Sequence, residues 1–63
     1  MDAFNYDKLR EDLIDYFGTA IVSGNLMARG ELSIVEKCNN ETLLLVAINN
    51  GFDLNNYIKN KIR

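Results

Sequence analysis

The chain has 63 residues, 48% hydrophobic and 25% charged, with a formal net charge of −2, one cysteine and no histidine. That length allows one domain with a marginal core, and that composition is too apolar for a disordered chain. The lone Cys38 excludes an intrachain disulfide. No His or Cys spacing suits a zinc site, and no histidine is available as a general base. Apolar runs are short, the longest being Leu43 to Ile48, so no segment is expected to span a bilayer. No signal peptide is expected, and the unpaired thiol predicts a reducing, cytoplasmic setting.

Tyr6, Leu9, Leu13, Tyr16, Ala20, Ser23 and Met27 recur at alternating spacings of three and four, and Ile14, Phe17 and Ile21 widen the stripe. This period predicts an amphipathic helix packed on a core. Asn5 is its expected N-cap, with Asp7 at the positive end of the helix. The register survives Gly18, so one helix is expected over Tyr6 to Ser23, ended by Gly24 in a left-handed conformation. Ala20 and Gly24 would also let another backbone approach closely.

A second helix is expected over Leu26 to Lys37, begun by Asn25, with Met27, Leu32 and Val35 inward. Gly30 weakens it, and Ser33 to Glu36 match a capping box, so a break near Leu32 is an alternative. A third helix should run from Glu41 to Asn50, capped by Asn40 and ended by Gly51. Its apolar residues cover nearly the whole circumference, which predicts the most buried element, although a buried strand over Leu43 to Ile48 competes on periodicity alone. Asp53 would cap a last helix from Leu54 to Lys61, with Phe52 as hydrophobic staple and Leu54, Tyr57, Ile58 and Ile62 facing inward. The expected fold is a single all-α domain over residues 1–63, a compact bundle of three to four short helices.

Gly18, Gly24 and Gly30 stand six apart, yet no GxxxxGK[ST] or GxGxxG is present, so phosphate cradling is disfavoured. Asp7, Glu11 and Asp15 stand at i, i+4 and i+8, which reads as a hydrated helix face rather than a cation site, with Lys8–Asp12 and Asp7–Arg10 offsetting the repulsion. Cys38 lacks a base and reads as a small apolar residue at a helix end. Through Asp15 five carboxylates face two cations, and the last five residues carry Lys59, Lys61 and Arg63 with no carboxylate. A basic tip of this kind is the footing for an alternative, nucleic-acid-associated reading. It is a minor one, because a recognition helix presents its N-terminal residues to bases.

The aromatic residues Phe4, Tyr6, Tyr16 and Phe17 are the candidate partner contacts, since a small core leaves apolar surface exposed. The expectation is therefore a non-enzymatic helical interaction or regulatory module without cofactor or metal. It would self-associate or bind an unknown protein partner through an apolar face, with Lys59, Lys61 and Arg63 as the remaining candidate contacts.

The segments DYFGTA (Asp15 to Ala20), ELSIVE (Glu31 to Glu36) and AINNGFDLNNY (Ala47 to Tyr57) together resemble a family of short, uncharacterised bacterial proteins seen mainly among clostridia and their relatives. The resemblance runs from about Leu9 to Ile58. Relatives often carry proline where this chain has Leu26, which fits a helix start after Asn25. The family has no assigned activity, so the resemblance implies no functional residues. Ala47 to Asp53, as A-x-x-x-G-F-D, is also similar to part of the nitrogen-fixation-type leader peptides, but a Gly-Gly cleavage site and a modifiable C-terminal core are missing.

Overall fold

A computed structural model describes residues 4–58. Three helices follow one another, α1 (Tyr6–Val22), α2 (Ala28–Lys37) and α3 (Asn40–Asn49), and a single 3₁₀ turn, Leu54–Tyr57, closes the described chain. The all-α expectation is met, and no strand competes at Leu43 to Ile48. The core consists of Leu9, Leu13 and Phe17 from α1, Ala28 and Val35 from α2, Leu43, Val46 and Ala47 from α3, and Tyr57. The helices α2 and α3 each pack on α1 and touch each other little.

Local chemistry sets most boundaries. The side chain of Asn5 accepts the Lys8 amide at 3.1 Å and starts α1. The helix passes through Gly18 and ends at Ser23. Gly24, at φ +103°, donates its amide to Ile21 O, and Asn25 donates to Ala20 O, both at 2.9 Å. These two bonds form a Schellman motif, which needs the left-handed backbone that glycine supplies without a Cβ penalty. The same motif ends α3. There Gly51 (φ +81°) donates to Ile48 O at 3.1 Å and Phe52 to Ala47 O at 2.9 Å. A Cβ built at Gly24 would meet nothing within 4 Å, so the close backbone approach expected there is absent and the glycine is needed for its conformation alone.

The connection to α2 departs from expectation. The side chain of Asn25 accepts the Met27 amide at 3.1 Å, Leu26 and Met27 form a turn, and α2 starts only at Ala28. Met27, expected inward, is 83% exposed, because it precedes the helix and Ala28 takes the buried position. The helix runs unbroken through Gly30 and Leu32, so Ser33 is an exposed interior residue and no capping box forms there. Asn39 rather than Asn40 caps α3, accepting the Thr42 amide at 2.9 Å. Only one side of α3 is buried, since α1 covers it and α2 scarcely reaches it. Leu45 and Ile48 consequently stay 58% and 55% exposed.

The last expected helix does not form within the described residues. Asp53 caps as anticipated, accepting the Asn55 amide at 3.0 Å, but the helical geometry stops at Tyr57. Tyr57 O is captured by the Asn5 amide at 2.6 Å, and Ile58 forms an antiparallel bridge with Phe4. This pairing between the two ends of the described chain takes the backbone away from helical geometry. Phe52 serves the α3 cap instead of stapling a fourth helix, and Ile62 lies outside the described residues.

Glycine substitutions separate the two uses of this residue. Gly30→Ala, at an open site inside α2, should stabilise by about 1 kcal/mol, whereas Gly24→Ala should destabilise by about 1–2 kcal/mol. Urea unfolding of the two variants checks the opposite signs.

Candidate interaction surface

The polar contacts that organise the molecule start from α1. Arg10, expected to pair with Asp7, turns instead toward the C-terminus of α2. Its guanidinium donates to Val35 O and, at 3.0 Å, to Cys38 O, and it lies 3.9 Å from Cys38 Sγ. These carbonyls belong to the last turn, where the helix leaves acceptors unsatisfied and partial negative charge accumulates. Arg10 therefore acts as a C-cap delivered from another helix, and Cys38 sits half-buried beside it. Sequence inspection missed this role, because the contact spans 25 to 28 residues and nothing local signals it.

Asp12 makes the second long-range link. It pairs with Lys8 at 3.0 Å, as expected from their i, i+4 spacing, and accepts the Tyr57 hydroxyl at 2.5 Å. The Tyr57 bond, then Lys8, hold the Asp12 carboxyl below its usual range. Burial, and then the bond to Asp12, push the Tyr57 phenol up to about 12. Asp7, Glu11 and Asp15 are exposed, and the described residues contain no cluster of three or more acidic, His or Cys side chains arranged to hold a metal.

The expected partner contacts divide three ways. Phe17 is 4% exposed and belongs to the core, which corrects its assignment as a contact. It packs within the core cluster and leaves a partner almost no surface to contact. Phe4 and Tyr6 are half-buried, with ring centroids 4.7 Å apart, and Phe4 also lies 6.2 Å from Tyr57. Both belong to the clasp between the ends. Tyr16 is 46% exposed and meets Phe17 and Phe52 edge-on at 5.1 and 5.4 Å. Lys59, Lys61 and Arg63 lie outside the described residues.

The most exposed apolar side chains among the described residues lie elsewhere. Val22, Leu26 and Met27 are 88%, 72% and 83% exposed, all in the corner that joins α1 to α2. The Schellman cap creates this corner. It ends α1 one residue past Val22 and turns Leu26 and Met27 outward before α2 begins. Beside Met27 a cleft of about 290 Å³ opens between α2 and α3, floored by Phe17, Ala28 and Val46 and rimmed by Glu31, Asn49 and Asn50. Leu45 and Ile48 form a second apolar strip on the outer side of α3. No helix of the described residues is long and apolar enough to cross a membrane.

No protein-family model, curated protein or solved structure matches this chain.

Tyr57→Phe keeps the buried ring and removes the bond to Asp12, so it should cost about 1–2 kcal/mol near neutral pH. The raised Tyr57 pKa means that its contribution is complete below about pH 10 and is lost as pH rises toward 12. The lowered Asp12 pKa means that its contribution is present above the normal carboxylate range and is lost as pH falls. The gap between the wild-type and Tyr57→Phe melting temperatures should accordingly be widest between about pH 5 and 9 and narrow on both sides.

Proposed function

We propose that this chain is a small non-enzymatic helical interaction module that self-associates through the apolar corner formed by Val22, Leu26 and Met27. The exposure of those three side chains carries the reading. Isolated apolar residues are common on protein surfaces, whereas three strongly exposed aliphatic side chains around one short connection favour a partner site. A histidine-free composition supports the non-enzymatic part. The free Cys38 supports a reducing, cytoplasmic setting. Tyr16 and the outer strip of Leu45 and Ile48 extend the apolar surface available to a partner.

Magnitudes fix the expected strength. Two corners meeting would bury six large aliphatic side chains, worth roughly 9–18 kcal/mol at about 1.5–3 each. Lost translational and rotational freedom and side-chain ordering cost roughly 4–15 kcal/mol. The central values differ by about 4 kcal/mol, that of a weak dimer with dissociation near the millimolar range.

Sedimentation velocity over a concentration series from micromolar to millimolar tests this. The wild type should shift from monomer toward dimer, while Leu26→Ser/Met27→Glu remains monomeric with unchanged helicity. A wild type that sediments as a monomer throughout, or a double variant that dimerises equally well, contradicts the reading.

A further inference from the structure

Of the asparagines in this chain, only Asn50 is followed by glycine. In such a pair the glycine nitrogen carries no neighbouring side chain to hinder its attack on the preceding amide carbon, which makes Asn–Gly the most readily deamidated asparagine context. In the folded chain both reacting groups are occupied. Gly51 N–H donates to Ile48 O at 3.1 Å, and Asn50 Nδ2 donates to Val46 O at 2.8 Å. Asn50 is held at φ −103°, ψ 11° as the C-cap of α3, and Gly51 at φ +81° completes the motif.

We propose that Asn50 is a deamidation site that the α3 cap keeps closed, and that its conversion irreversibly weakens that cap. When the cap opens, the Gly51 nitrogen loses its proton to hydroxide and bonds to Asn50 Cγ. The Cγ–Nδ2 bond breaks and Nδ2 takes a proton from water, which regenerates the hydroxide, and departs as ammonia. Water then opens the cyclic succinimide at one of its two carbonyls, leaving aspartate or isoaspartate at position 50, with no oxidant or reductant involved.

The product differs from Asn50 in ways that this position feels. A carboxylate has no N–H to donate to Val46 O. It also places negative charge at the end of α3 where the last carbonyls already concentrate it. Isoaspartate further lengthens the backbone within a cap whose two bonds depend on spacing. Because Asn50 rims the cleft together with Glu31, the change also adds negative charge to that cleft. The local opening that starts the reaction belongs to a helix end, among the least protected parts of a small domain.

The test incubates the intact chain in mildly alkaline buffer, with and without denaturing urea, and follows deamidation by peptide mapping with isoaspartate detection. Asn50 should be the leading site, and unfolding should accelerate its conversion by at least about tenfold, the protection expected of a cap that must open first. Asn50→Gln should leave the position unmodified, and Asn50→Asp should melt below the wild type. Equal rates in the folded and unfolded chain, another asparagine converting first, or an Asn50→Asp variant that melts with the wild type would each overturn the proposal.

Discussion

The structure depends on one buried stripe. Leu9 and Leu13 have no exposed surface and Phe17 almost none, and these three residues give α2 and α3 the platform on which each packs. Because α2 and α3 scarcely touch, they do not brace each other, and beyond α1 only the Leu54–Tyr57 turn packs on α3 among the described residues. A 63-residue domain of ordinary stability has roughly 3–9 kcal/mol in total. One lost core side chain is a large part of that. The polar contacts follow the same plan. Arg10 reaches from α1 to the end of α2, and Asp12 reaches from α1 to Tyr57. Both are one turn or less from Leu9 and Leu13, so a single helix carries the apolar platform and the two polar fastenings.

This arrangement also explains what is left outside. A hub helix with two satellites has one interior, and each satellite keeps an uncovered side. Leu45 and Ile48 are exposed because, among the described residues, α1 and the Leu54–Tyr57 turn cover α3 while α2 scarcely reaches it. Val22, Leu26 and Met27 are exposed because the chain must reverse between hub and satellite, and the Schellman cap at Gly24 makes that reversal within a few residues. The surface proposed for self-association is thus a consequence of how the core is built.

Features with local causes could be read from the sequence. The extent of α1 was legible to within a residue, because its period, the Asn5 cap and Gly24 all act within a turn of the ends they set. The ends of α3 were legible for the same reason, with the cap displaced by one position between the adjacent Asn39 and Asn40. Features with distant causes were not legible. A helix from Leu54 onward has suitable residues, but Asn5 and Phe4 capture the backbone at Tyr57 and Ile58 from the far end of the chain. Arg10 has an acidic neighbour at Asp7 and still prefers the carbonyls of α2, where geometry and dipole act together. The all-apolar α3 looked destined for burial on every side, and how much of it is covered depends on how many helices surround it. Met27 is exposed for a different reason, since α2 starts one residue after it. Phe17, read both as part of the apolar stripe and as a candidate contact, is core.

The hub is tested most directly by Leu13→Ala, followed by circular dichroism melting and residue-resolved amide exchange. Removing this fully buried side chain should cost about 2–5 kcal/mol. The account predicts that protection in α2 and α3 then falls together with that of α1, in a single, much lowered transition. Satellites that keep wild-type protection while α1 loosens, or a melting temperature that barely moves, would contradict it.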